Sequence, residues 1–269
     1  MSTATFPADT VHPTATAAAP RPLRWLDPAF AVALVAALAM VVLTAWPVAA
    51  QAADRDASTE IRSVGDFDAV QTQGPTVQLR QGATTAVTVA GTARQLAQLE
   101  TVVETTRLGR TLVLRWKRSF WPGGWSSGGE ATVSVVAPRI TGLQVSGSGD
   151  IQAEGLTPPS LLVRVEGSGD VRLSALATET LSLAVAGSGD ITATGRATQL
   201  SASVAGSGDI RAEGLAADAV EVNIAGSGDV RVQADKTLSV RIAGAGDVVY
   251  GGNPTVRQSI VGSGSVTRR

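Results

Sequence analysis

Six aspartates recur at nearly even spacing in the C-terminal half of the chain, each closing a Gly-Ser-Gly-Asp or closely related tetrapeptide. They are Asp150, Asp170, Asp190, Asp209, Asp229 and Asp247. If the repeats stack, the carboxylates form a row about 5 Å apart, where like charges repel by about 1 to 3 kcal/mol. Two partners would offset this repulsion: backbone N–H groups within each aspartate's own corner, or a row of cations, for which calcium is the best candidate. One carboxylate per corner is few for calcium, so we favour the structural turn.

A second candidate site is the Gly- and Ser-rich segment 117–129, which is unlike a strand in composition. It carries aromatic and cationic side chains, namely Lys117, Arg118, Phe120, Trp121 and Trp125. Exposed aromatics on such a loop often contact sugar rings, lipid headgroups or a partner protein. The segment therefore predicts a binding site for a glycan, an envelope component or another protein. The alternative is that Phe120 and Trp121 fold back to close the open end of a stack.

Most residue types used in catalysis are missing from the repeats. The chain has no cysteine, and its single histidine, His12, lies near the N-terminus. This excludes Ser-His-Asp catalysis, Cys-His catalysis and ordinary structural zinc from the repeats. A polysaccharide-acting enzyme can use Asp and Arg alone, as in the pair Asp170 and Arg172 or the pair Asp209 and Arg211, but short repeats leave little room for a cleft. We expect no enzyme and no cofactor beyond the calcium considered above. The net charge of -1 also argues against nucleic acid as a partner.

The elements that position these residues follow from the repeat itself. Successive tetrapeptides begin 18 to 20 residues apart, at Gly147, Gly167, Gly187, Gly206, Gly226, Gly244 and Gly262. A unit of that length cannot bury a core alone, so its copies must stack. Leu181, Leu183 and Val185 alternate with small residues, which puts three apolar side chains on one face of a strand. We expect both glycines of each tetrapeptide to supply backbone angles that other residues adopt only at a cost. Residues 139–269 therefore predict an all-β fold, a parallel β-helix or solenoid with about 18–20 residues per coil.

Residues 53–138 are rich in strand patterns but lack the tetrapeptide, and we interpret them as a β-rich lead-in that caps the solenoid. Residues 77–80 and 86–89 alternate around Gly82, which is typical of a hairpin. Residues 93–101 predict one or two helical turns or a loop. Two further strands are predicted at 111–116 and 131–136.

Residues 1–52 predict a disordered leader followed by an export segment. Arg21 and Arg24 precede a charge-free apolar run over 28–50, and Ala50-Gln51-Ala52 has the small residues of a signal-peptidase site. The alternative is an apolar helix retained as an inner-membrane anchor, because the run is long enough to cross ~30 Å of hydrocarbon. Either way we expect the rest of the chain outside the cytoplasm, in the periplasm or at the cell surface.

Two features together resemble a known family. The segment 62–70, Arg-Ser-Val-Gly-Asp-Phe-Asp-Ala-Val, and the repeated Gly-Ser-Gly-Asp series are similar to the GIN head domain of auto-transporter adhesins, over residues 61–266. The resemblance implies an exported bacterial β-helical domain and brings no catalytic or binding residues with it. The function we expect is a non-enzymatic binding or adhesion-like module of the cell envelope. The alternatives are a membrane-anchored regulatory ectodomain and a polysaccharide-acting β-helix enzyme.

Overall fold

Strands account for most of the computed structural model, which describes residues 57–117 and 131–269. The strands are β1 (Ala57–Arg62), β2 (Ala69–Gln73), β3 (Thr76–Gln81), β4 (Ala86–Thr92), β5 (Leu99–Thr106), β6 (Gly109–Trp116), β7 (Thr132–Ala137), β8 (Gly142–Gly147), β9 (Ile151–Glu154), β10 (Ser160–Gly167), β11 (Val171–Gly187), β12 (Ile191–Gly206), β13 (Ile210–Gly226), β14 (Val230–Gly244), β15 (Val248–Gly251), β16 (Thr255–Gly262) and β17 (Val266–Arg268). One short helix, α1 (Ala93–Gln98), lies between β4 and β5.

Two stacks of parallel strands form the column. Stack A holds the strand before each corner, in the order β6, β2, β8, β10, the second halves of β11 to β14, and β16. Stack B holds the strand after each corner, in the order β7, β3, β9, the first halves of β11 to β14, β15 and β17. The described residues thus form nine coils, and the β-solenoid expected from the repeat is confirmed.

The core is a set of apolar columns that run along the inside of the stack. Val163 pairs in register with Leu183, which pairs with Ala202, and all three are buried. Leu181, Leu183 and Val185 face inward, as the alternation predicts. Each repeat also has a short third side. After the strand of stack B, the chain pairs again with the neighbouring coil, near Leu176 and Ala197, before the next strand of stack A begins. Every coil therefore contributes a few buried side chains that pack on the coils above and below it.

The first coils do not stack in chain order. The coil of β2 and β3 lies between the coil of β6 and β7 on one side and the coil of β8 and β9 on the other. The hairpin expected from residues 77–80 and 86–89 is wrong, because β7 lies between β3 and β4, parallel to the first and antiparallel to the second. Alternation reports which face of a strand is buried, and β3 and β4 each bury one face without pairing to each other.

The two ends of the column differ. At the end formed by β6 and β7, β5 pairs antiparallel with β6, and β4 and β1 continue antiparallel from β7. The helical turns expected near residue 93 are confirmed as α1, which begins with a capping box between Thr92 and Gln95 and buries Leu96. At the other end, β16 pairs with β14 and β17 pairs with β15, and no described strand pairs with their outer edges.

Residues 57–117 and 131–269 belong to one compact unit with a core of its own. No helix within the described ranges is long and apolar enough to span a bilayer. The apolar helix expected over residues 28–50 lies outside those ranges.

Candidate functional site

The Gly-Ser-Gly-Asp corners stack backbone on backbone. The N–H groups of Ser188 and Gly189 both donate to the carbonyl oxygen of Gly167, one coil away, at 2.9 and 3.1 Å. Gly187 has φ of 138°, so the expectation of a special backbone angle is confirmed for the first glycine. For the second glycine the reason is different. A Cβ on Gly189 would lie 2.1 Å from the oxygen of Gly169, so this position needs glycine because the neighbouring coil is so close.

The six aspartates form a continuous hydrogen-bonded ladder along this corner. In each step an aspartate Oδ1 accepts the backbone N–H of the aspartate in the next coil, at 2.9 to 3.1 Å. The last step passes from Asp247 to Ser265, whose backbone N–H and hydroxyl both donate to Oδ1 at 2.8 Å. The expected partner within the aspartate's own corner is therefore wrong, because the donor belongs to the neighbouring coil. The ladder ties coils to one another.

Arginines on the outward side of stack B bind the second oxygen of some of these carboxylates. Arg211 lies between two coils and donates to Oδ2 of Asp190 at 2.8 Å and to Oδ2 of Asp209 at 2.9 Å. The hydrogen bond to Asp190, with the nearby negative charges, raises the pKa of Arg211 above its usual value. Arg172 donates to Asp170 at 3.2 Å. N–H donors and guanidinium groups together offset the repulsion within the row of carboxylates.

Each corner from Gly147 to Asp247 contributes one carboxylate to the ladder. Within residues 57–117 and 131–269, no group of three or more His, Asp or Glu side chains is arranged to hold a metal ion. A calcium ion at the ladder would compete with the N–H groups already bound to each Oδ1. Calcium at the ladder stays the less favoured alternative. The tetrapeptide serines are exposed, and Ala245 takes the place of one of them without changing the corner.

The segment with the aromatic side chains connects the two strands of the terminal coil. Strand β6 ends at Trp116 and β7 begins at Thr132, so residues 118–130 stand in the sequence between the A and B strands of one coil, as the tetrapeptide does in the repeats. Arg118, Phe120, Trp121 and Trp125 lie outside the described residues. Lys117 is exposed, and its Nζ donates to the carbonyl oxygen of Ala97 near the end of α1, at 3.0 Å.

Residues 62–70 join the outer coils to the repeats, a role that sequence analysis missed. Phe67 is buried in the core. The carbonyl oxygen of Asp68 accepts hydrogen bonds from the backbone N–H and hydroxyl of Thr141, and its carboxylate accepts two from Arg139. The signal in the sequence was an Asp-Phe-Asp motif directly before a strand. The motif stabilises the joint between the β2 and β8 coils.

Two surfaces of the described residues run across several coils. The A face, defined as the outward side chains of stack A in β10 to β14, is built mainly of small residues, among them Ser182, Ala184, Ala186, Ser201, Ser203, Ala205, Ala225, Ser239 and Ala243. A shallow groove of about 530 Å³ crosses the third side over several coils, and Thr178, Arg196 and Asp218 are among its lining residues. Both surfaces extend along the column.

Comparison with known families identifies the chain. Residues 66–254 match the family described as "Putative auto-transporter adhesin, head GIN domain". The chain belongs to the GIN domain family. That match covers most of the sequence and confirms the resemblance carried by the 62–70 motif and the repeats. No curated protein matches the chain.

Solved structures share the GIN domain fold. A protein described as a "putative adhesin" from Bacteroides fragilis is 25% identical with a TM-score of 0.72, over 80% of this chain and 98% of its own. A "putative lipid binding protein" from Parabacteroides distasonis is 24% identical with a TM-score of 0.65, over 80% of this chain and 98% of its own. A second "putative adhesin" from Parabacteroides distasonis is 22% identical with a TM-score of 0.60, with the same coverage. The second and third likenesses concern the fold alone.

Proposed function

We propose that this GIN domain is an exported binding module of the cell envelope that attaches to a glycan chain without transforming it. The observation that carries the proposal is the composition of residues 118–130 and their place in the sequence. Two tryptophans, a phenylalanine and an arginine lie in sequence between β6 and β7, the two strands of a terminal coil, and they directly follow exposed Lys117. Aromatic rings supply large contact area for sugar rings, and the nearby cations suit acidic groups on the same polymer.

The regular A face supports a chain-like ligand. Its outward columns repeat at the strand spacing of ~4.8 Å, and their small side chains let a flat ring approach the sheet closely. Charged side chains border the small residues, with Arg164 and Glu166 on one side and Glu221 and Arg241 on the other. A polymer can therefore contact equivalent positions in several coils, and weak contacts add along its length.

The hydrogen bonding of the corner supports binding over catalysis. Two Asp–Arg pairs could in principle serve a polysaccharide-acting enzyme, namely Asp170 with Arg172 and Asp209 with Arg211. Both are ion pairs at the surface of the column. In both aspartates Oδ1 accepts an N–H from the next coil. A general acid or base needs a carboxyl group free to exchange a proton with substrate, and these carboxylates are committed to the ladder.

Export is proposed from the arginines and apolar run ahead of residue 53, in agreement with membership of an adhesin-like family. If the apolar segment is instead retained as a membrane anchor, the mature protein keeps its N-terminal residues. Mass spectrometry of the protein recovered from its native compartment distinguishes the two. An N-terminus at Ala53 identifies a cleaved signal peptide, whereas an intact N-terminus identifies the anchored ectodomain.

Binding to glycans tests the proposed function directly. The full-length protein in detergent is applied to an array of bacterial envelope glycans, beside the double variant Trp121→Ala, Trp125→Ala. Two aromatic contacts worth about 1 kcal/mol each correspond to about 30-fold weaker binding in the variant. The control is Glu213→Ala, which removes an exposed charge of β13 that belongs neither to the A face nor to the groove on the third side. A wild-type protein that binds no glycan, or a double variant that binds as tightly as the control, would contradict the proposal.

A further inference from the structure

The outer edge of β16 ends stack A without a described partner. Strand β16 pairs in parallel with β14 on one side only. Its inward residues Val256 and Ile260 pack against the core but remain partly exposed, and Val261 on its outward face is 72% exposed. A strand edge with half-covered apolar side chains is a surface on which another strand can dock.

The hydrogen bonds within stack A show which backbone N–H and C=O groups of β16 point away from β14. In stack A the outward residue Leu162 donates its N–H to Thr141 of the preceding coil, and Arg257 occupies the equivalent register position in β16. Ser263, two steps beyond Val261, likewise donates back to Gly244. Because these bonds alternate along a parallel strand, the N–H and C=O groups of Val256, Gln258 and Ile260 point toward the free edge.

We propose that a second copy of this chain docks on that edge, with the two β16 strands antiparallel and Gln258 on the twofold axis. Val256 then lies opposite Ile260 of the second copy, and Gln258 lies opposite Gln258. These are the three residues whose backbone groups point outward, so each opposed pair exchanges two N–H···O=C bonds. The arrangement is isologous, as a symmetric dimer requires.

The side chain of Gln258 specifies this register. It occupies an inward position, in line with Val240 and Val222 of the preceding coils, where the repeat otherwise places an apolar residue. An amide carries both donors and an acceptor, so two glutamines that meet at the axis can satisfy each other. A shift of one pair in either direction would place the amide against Val256 or Ile260 instead. A single polar residue in an apolar row is a known way to fix the alignment of two identical chains.

Charge supports the same alignment. With Gln258 on the axis, Arg257 lies opposite Ser259 of the second copy on the outward face. A shift in one direction would bring Arg257 directly opposite Arg257, and like charges in opposed positions destabilise a strand pair. The apolar pairs, the amide pair and the position of Arg257 therefore favour one register.

Disulfide crosslinking tests the dimer in a chain that has no cysteine of its own. Full-length Arg257→Cys and Ser259→Cys chains carry different tags, are produced together in cells and are exposed to a mild oxidant. The proposal predicts a disulfide between the two tags in the mixture, because opposed residues of an antiparallel pair lie within disulfide reach. Cells that produce only Arg257→Cys should yield far less crosslinked protein than the mixture. In the proposed register, residues 257 of the two copies lie diagonally across from each other rather than directly opposite. Ser239→Cys, in the same outward column but one coil inside the stack, is the control.

A proline supplies the second variant. Gln258→Pro removes an N–H that points away from β14, so it leaves the parallel ladder intact, and an unchanged melting temperature checks the fold. It removes two hydrogen bonds from the dimer, which corresponds to about 30-fold weaker association and loss of the mixed disulfide. Three results would overturn the proposal: mixed crosslinking no stronger than the Ser239→Cys control, stronger crosslinking of Arg257→Cys alone, or mixed crosslinking that survives Gln258→Pro.

Discussion

The stacked corners make a sharp prediction for Gly189, the second glycine of the third tetrapeptide. This residue lies in the fifth of the nine described coils, and an alanine there is expected to destabilise the protein strongly. An added Cβ would stand 2.1 Å from the carbonyl oxygen of Gly169 and 2.9 Å from Cγ1 of Val165. The clash is with backbone on one side, so a change of side-chain rotamer cannot relieve it.

The magnitude follows from what must move. To bring the Cβ contact to an ordinary 3.4 Å, the two coils must separate by more than 1 Å at this corner. That displacement breaks the two N–H bonds that Ser188 and Gly189 donate to Gly167. Two hydrogen bonds at about 1 kcal/mol each, plus about 1 to 3 kcal/mol for overpacking, give a loss of about 3 to 5 kcal/mol.

Denaturant unfolding of the 54–269 unit measures this loss. The matched control is Ser188→Ala, which should change the free energy of unfolding by less than about 0.5 kcal/mol, because the side chain is exposed and Ala245 holds the same place in another coil. Gly189→Ala should also broaden the transition, since a weakened central coil uncouples the two halves of a solenoid. Equal midpoints for Gly189→Ala and Ser188→Ala would refute the account of the corner.

The remaining predictions concern the aspartate ladder. Asp190→Ala should cost about 1 to 3 kcal/mol in the same unfolding assay, because it leaves the N–H of Asp209 without its acceptor and removes a partner of Arg211. Asp190→Asn keeps an amide oxygen at the acceptor position and should cost less than the alanine variant. Equal losses for the two variants would show that charge, not the N–H bond, dominates. Removal of divalent cations with a chelator should leave the melting temperature unchanged, since N–H groups already bind each Oδ1, and a clear fall in melting temperature would favour calcium at the ladder.

Sequence analysis predicted the repeating part of the fold well, for a physical reason. Where a unit recurs every 18 to 20 residues, each copy has the same neighbours, so the alternation at Leu181, Leu183 and Val185 is enough to define the inward face. The outer coils have no such repetition. Alternation in β3 and β4 could not show that β7 separates them, because burial of one face carries no information about which strand lies alongside.

The corner was predicted less well, because its interactions cross from one coil to the next. The sequence indicates that an aspartate at a turn needs N–H donors, but whether they belong to its own turn depends on the spacing between coils. At ~4.8 Å the next coil is as close as the same turn, and Asp170 accepts from Asp190. The second glycine shows the same effect, since its requirement comes from the oxygen of Gly169 rather than from its own backbone angle.

These contacts explain why the most conspicuous motif of the chain carries little information about the binding function proposed above. The residues of the tetrapeptide serve the stacking of the coils. Its glycines allow the backbone of the neighbouring coil to approach closely, and its aspartate accepts a hydrogen bond from the next coil. Outward positions have no such role, and at one register position they vary from coil to coil, as Arg164, Ala184, Ser203, Asn223 and Arg241. Substitutions at such exposed sites change stability by less than about 0.5 kcal/mol. If the proposed binding function holds, ligand specificity can therefore change in these columns with little cost to the fold.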